Sequence, residues 1–205
     1  NIALTGNNLL SGAYVQGKST VKVAITASTM YGATIKSYSS TVDGKTYTGS
    51  SFTSSALSNG SKTVSVTITD SRGKTATLSS SAFTVYAYAI PSITSFTVER
   101  QADGTTVIAT VKGSISAINN KNAKTITVTL NGKTQTITSS SYTINGTTTF
   151  TGVSTDSTFT ATAKLTDSYT NVTKDATLPT VAVTMDFHHS GKGVAFGKVA
   201  ERENE

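Results

Sequence analysis

The only two histidines, His188 and His189, are adjacent, and Asp186, His188 and Ser190 alternate through them, so acid, base and hydroxyl occur in one short stretch. On an extended chain alternate residues share a face, and these three stand in a row. A row cannot surround one reacting atom, as nucleophile, base and oxyanion donors must. The two histidines face opposite ways for the same reason and cannot ligate one metal within one chain, although three symmetry-related chains could each bring one to an axis. No other ligand type clusters there. The glycine-rich GKGVAFGK at 191–198 also misses its chemistry. A phosphate loop needs four residues between its glycines and a hydroxyl after its lysine, whereas five separate Gly191 from Gly197 and Val199 follows Lys198. Phe196 stands where a dinucleotide fingerprint needs its third glycine. Asp70 and Asp167 fall in equivalent turns of two repeats, where an aspartate caps backbone N–H groups rather than forming half of a glycosidase pair. The sequence therefore predicts no catalytic residue, no metal site and no cofactor.

The same stretch reads better as a surface. Val181, Val183, Met185 and Phe187 lie on one side of an extended segment, and Val194 and Phe196 repeat the pattern beyond Gly191 and Gly193. Apolar surface of this kind calls for another chain or a continuation, and glycines at 191, 193 and 197 allow close approach. Val183, Met185, Phe187, Gly191, Gly193, Val194, Phe196 and Gly197 are the expected oligomerisation and junction residues. The run Asp186, Phe187, His188, Gly191, Gly193, Val194, Ala195, Phe196, Gly197, Lys198, Val199, Ala200, Glu201 resembles the D-F-H-x-x-G-x-G-V-A-F-G-K-V-A-E junction of minor tail, baseplate and host-attachment proteins of long-tailed phages of Gram-positive bacteria. There the motif links immunoglobulin-like repeats to a distal, receptor-facing part. The resemblance implies a non-enzymatic virion component, a spacer that projects a receptor-binding region. It also implies a homotrimer in the full-length protein, other tail or baseplate proteins and host-wall carbohydrate as partners, and assembly in the host cytoplasm. A repeat module of a Gram-positive cell-surface adhesin is the alternative, and the chain, starting at Asn1, reads as a piece of something longer.

The elements around this stretch are predicted to be strands throughout. Among 205 residues there are 41 Thr and 28 Ser but no Trp or Cys and only two Pro. Thr and Val suit a pleated, half-buried surface, and without cysteine neither disulfides nor thiol-bound metals are available. No apolar run reaches the roughly 20 residues of a membrane span, and no membrane insertion is expected. The net charge of +6 is concentrated in the first half, yet its lysines are dispersed and not interleaved with aromatics, so solvated strand faces are expected rather than a nucleic-acid footprint.

A module of about 90 residues is written twice. TVKVAIT at 20–26 matches TVIATVK at 106–112, Asp43-Gly44-Lys45-Thr46 matches Asn131-Gly132-Lys133-Thr134, and the TDS ending at Ser71 matches the one ending at Ser168. Each copy carries some seven short strands between turn signals, the pattern of an immunoglobulin-like β-sandwich. The expected fold is all-β: sandwiches over 1–89 and 90–182, and a short β segment over 183–205. Strands are predicted near 11–15, 20–27, 33–40, 45–48, 51–57, 63–70 and 74–86, then near 92–99, 105–113, 124–130, 133–139, 147–153, 158–166 and 171–187. The pairs 43–44 and 131–132 are hairpin turns requiring positive φ, and Asn59-Gly60 and Asn145-Gly146 are predicted as further turns. The expected core is Val21, Val23, Ile25, Ile35, Val64, Val66, Ile68 and Val85, then Val107, Val111, Ile126, Val128, Leu130, Phe159, Ala161 and Leu165. Tyr31, Tyr38, Tyr47, Tyr86 and Tyr88 are expected mainly to pack, with stacking on sugar rings as the alternative.

Overall fold

The computed structural model describes residues 1–181, 186–187, 190 and 192–195. Every regular element among them is a β-strand. The chain divides into two compact units, Asn1–Ile90 with Ser116–Asn122, and Pro91–Ile115 with Ala123–Glu205.

In the first unit, β1 (Ile2–Asn7), β3 (Thr20–Ile25) and β6 (Ser51–Thr53) form one sheet in the order β1-β3-β6. The facing sheet runs β5-β4-β8-β9, from β4 (Ile35–Val42), β5 (Lys45–Thr48), β8 (Ser65–Asp70) and β9 (Thr75–Ser79). A small third sheet joins β2 (Tyr14–Val15), β7 (Gly60–Lys62) and β10 (Phe83–Tyr86), with β10 parallel to β2. Strict alternation builds β3: Val21, Val23 and Ile25 are buried while Lys22 and Ala24 are exposed. They pack with Val42, Leu57, Val64, Val66 and Val85.

In the second unit, β11 (Ser92–Arg100), β12 (Val107–Ser114) and β15 (Thr143–Phe150) face β13 (Lys124–Leu130), β14 (Lys133–Thr136), β16 (Phe159–Asp167) and β17 (Asn171–Leu178). The orders are β11-β12-β15 and β14-β13-β16-β17, all antiparallel. Three strands against four, with the first, second and fifth strands of the unit in one sheet and the third, fourth, sixth and seventh in the other, is an immunoglobulin-like sandwich. Its larger core includes Phe96, Ile115, Ile137, Ile144, Phe150 and Val153.

The two hairpin signals sit where expected: Asp43 and Gly44 have φ of 52° and 72°, and Asn131 and Gly132 have 49° and 71°. Asp70 Oδ1 accepts from Arg72 N and Lys74 N at 2.9 and 2.8 Å, and Asp167 Oδ1 accepts from Tyr169 N and Thr170 N at 2.8 Å each, closing equivalent turns.

Several local expectations are corrected. The first strand is Ile2–Asn7, not one near 11–15, where only Tyr14–Val15 forms a strand, after an isolated bridge between Leu10 and Ala13. Asn145-Gly146 is no turn but the middle of β15, with Gly146 opposite Val111, and a Cβ there would collide with Ile137 Cγ2. Glycine is needed at that point for space rather than for φ. The strand expected to run from 171 to 187 stops at Leu178, where Pro179 removes a donor. Ile35, Ile68 and Phe159 are half-buried at the sandwich margins rather than fully internal.

Candidate functional site

The C-terminal segment is a hairpin in its described part. β18 (Asp186–Phe187) pairs antiparallel with β19 (Val194–Ala195), placing Asp186 opposite Ala195 and Phe187 opposite Val194. Between them Lys192 N approaches Ser190 Oγ at 3.4 Å, and Gly193 is buried. Asp186–Phe187 and Val194–Ala195 thus fold back on each other. Val183, Met185, Gly191, Phe196 and Gly197 of the expected junction set lie outside the described residues, as do His188 and His189.

The approach to this hairpin is held by a residue without a sequence signal. Arg100, at the end of β11, donates from Nε to Pro179 O at 3.0 Å, from Nη1 to Gly104 O at 2.7 Å and from Nη2 to Ser154 O at 2.7 Å. A planar guanidinium offers five N–H donors in a fixed fork, and here that fork ties together three loops remote in sequence. Val181 N adds a bond to Thr155 O at 2.9 Å. Nearby, Asp103 accepts from Thr106 Oγ1 at 2.6 Å, from Thr106 N at 2.8 Å and from Thr105 N at 3.1 Å, and these bonds, the hydroxyl first, hold its carboxyl below the usual range.

The tyrosines separate into two groups. Tyr38 and Tyr47 pack against the first core, and Tyr47 stacks on Phe52 with ring centroids 4.5 Å apart. Tyr31 is 89% exposed, beside Met30 at 69%, in a loop pinned by Arg72 Nη2 donating to Met30 O at 3.2 Å. Its φ of 54° is an uncommon backbone state for a bulky residue. Of the sugar-stacking candidates, Tyr31 is therefore the one with an open ring.

Charge is spent locally. Asp43 in the first hairpin turn accepts from Ser58 N at 2.6 Å, Ser58 Oγ at 2.5 Å and Lys62 Nζ at 2.7 Å. Burial raises its pKa, but the bonds from Lys62 and Ser58 outweigh this and hold it at about 2. Lys124 Nζ donates to Ser140 O at 2.7 Å and lies 4.3 Å from the Tyr142 ring centroid. Among the described residues no group of three acids or histidines is arranged to hold a metal.

The profile of a family described as "Siphovirus protein of unknown function (DUF859)" matches residues 3–204. No curated protein matches the chain. Among solved structures, the amphioxus IgVJ-C2 molecule is similar at 12% identity and a TM-score of 0.38, over 82% of this chain and 99% of that one. Fibronectin(III)-like modules of Clostridium thermocellum CbhA align at 9% identity and 0.38, over 87% and 94%. A chimeric titin Z1Z2-Z1Z2 tandem aligns at 16% identity and 0.33, over 88% and 99%.

Proposed function

The chain belongs to this siphovirus protein family, and from that premise we propose that it is a non-enzymatic structural component of the phage tail, a spacer that carries a receptor-binding region toward the host surface. The observation that carries the proposal is that a family match over 3–204 falls on a chain whose described residues are spent almost entirely on two hydroxyl-rich β-sandwiches. Sandwiches repeated along a chain add length with little sequence demand beyond an alternating core. In this reading the C-terminal hairpin is the junction to the distal part. Its Phe187 and Val194, opposite one another, form part of a three-fold contact in the full-length protein. The partners are other tail or baseplate proteins and, at the tip, carbohydrate of the host wall.

Immunoelectron microscopy tests the placement. Antibodies raised against the chain are expected to label the tails of purified virions and to slow adsorption to host cells; label confined to capsids, or virions left unlabelled, refutes it. For the junction, the full-length protein is expected to scatter light as a trimer, and Phe187→Asp with Val194→Asp to yield monomers. A trimer that survives both changes removes these residues from the contact.

A further inference from the structure

We propose that the free edge of β9 is a self-association surface, on which β9 of one chain pairs antiparallel with β9 of a second copy about a two-fold axis at Thr77. β9 ends its sheet, since the order is β5-β4-β8-β9. All five of its residues are exposed; among the strands whose burial is described, β14 shares this property but carries Lys133, whereas TATLS has no charge. Natural edge strands are ordinarily protected by charge, proline, bulges or a cover, because their unpaired N–H and C=O groups template the addition of another strand. β17, the corresponding edge of the other unit, has these protections: Lys174 and Asp175 are exposed on it, Lys174 Nζ donates to Thr94 O at 3.2 Å, and the strand packs along β11.

The register of β9 specifies what it offers. Asp70 N bonds Lys74 O at 2.9 Å and Ser80 N bonds Val64 O at 2.8 Å, with Ile68 opposite Ala76 and Val66 opposite Leu78 between them. Antiparallel pairs alternate between bonded and non-bonded, so residues 74, 76, 78 and 80 spend their backbone groups on β8. Thr75, Thr77 and Ser79 point theirs outward. With Thr77 on the axis, Thr75 meets Ser79 of the second copy, and the outward groups form a ladder that satisfies both edges.

The side chains suit the same axis. Ala76 and Leu78 share the face of the buried Val66, so in the pair each large Leu78, 53% exposed in the single chain, lies opposite a small Ala76. On the other face threonine meets threonine, continuing the 2.8 Å hydroxyl contact between Thr67 and Thr77. Lys74 falls opposite Ser80, so no like charges face each other. A cleft of about 420 Å³, lined by Ile2, Ile25, Ile68 and Leu78 among others, lies beside β9. One patch that is complementary to itself makes a closed, isologous contact, distinct from the three-fold contact at the hairpin.

The chain has no cysteine, so Thr77→Cys introduces a single thiol. Paired Cα atoms at the axis of a bonded antiparallel pair are about 5.5 Å apart, within disulfide reach. Under mild oxidation in dilute solution Thr77→Cys is expected to form a covalent dimer, and Thr173→Cys, an exposed position on β17, to stay monomeric. Sedimentation velocity of the unaltered chain is expected to show reversible dimers that Leu78→Lys weakens by about tenfold or more, with circular dichroism confirming an intact fold. Equal cross-linking at both positions, no cross-linking at Thr77, or association unchanged by Leu78→Lys overturns the proposal and leaves the edge to a different chain.

Discussion

The two sandwiches share a strand order in their two main sheets but finish the four-stranded sheet differently. In the second unit β17 runs eight residues, lies along the nine-residue β11 and buries Leu178 to 1% exposure. In the first, β9 is five residues long, makes no comparable contact with the six-residue β1, and leaves Leu78 53% exposed. The chain then crosses to another sheet, where β10 pairs with β2 and β7. The difference teaches that a repeated landmark sequence sets the central strands, while the length and partner of the terminal strands decide whether a sandwich is closed.

The comparison breaks most easily at the two leucines. Leu178→Ala is expected to cost about 2–5 kcal/mol of unfolding free energy through lost burial and a cavity, whereas Leu78→Ala is expected to stay within about 0.5 kcal/mol as a surface change. Urea titration of dilute, monomeric protein measures both, and similar costs there would mean that Leu78 is covered within the single chain. Next in size, Gly146→Ala is expected to destabilise by about 1–3 kcal/mol because Ile137 must move. If it costs no more than a typical exposed glycine replacement, the close approach of Ile137 is not maintained.

The first hairpin turn adds a pH dependence that its counterpart lacks, since Asn131 stands where Asp43 does. Asp43 titrates at about 2, below its ordinary 3.8, so its contribution is fully present above that ordinary value and is lost as pH falls through about 2. After solvent screening this amounts to about 1–2 kcal/mol. Asp43→Asn should flatten that part of the acid-unfolding curve; an unchanged curve would show that Lys62 and Ser58 do not hold the carboxylate. The smallest effect is a gain. Ser40 is fully buried, and its Oγ has no hydrogen-bond partner among the described residues. Ser40→Ala is expected to stabilise by about 1 kcal/mol, and a loss would reveal a partner for the hydroxyl.

What could be read from the residues follows the range of the physics involved. Asp43-Gly44 and Asn131-Gly132 were legible because positive φ is a local demand that few residues meet. The same chemistry misled at Asn145-Gly146, where a side chain nine residues earlier requires the glycine and no local pattern records it. Val21, Val23, Val107 and Val111 were legible from alternation alone, but Leu57, Ile115, Ile137 and Val153 are core residues outside or at the ends of strands, where period two is silent. Ile2–Asn7 escaped notice because an edge strand of intermediate burial alternates weakly. Arg100 was invisible because its three acceptors are backbone carbonyls, which every residue possesses.

That arginine has a mechanical consequence. In the proposed spacer role the chain is loaded along its length, and tension applied at residue 181 pulls first on the segment that follows β17. The guanidinium intercepts the load just beyond Leu178 and shares it among the carbonyls of Pro179, Gly104 and Ser154, in three separate segments. Rupture at this exit then requires the three arginine bonds to fail along with the Val181 N bond to Thr155 O, so resistance to pulling is a matter of unfolding rate and not of equilibrium stability alone.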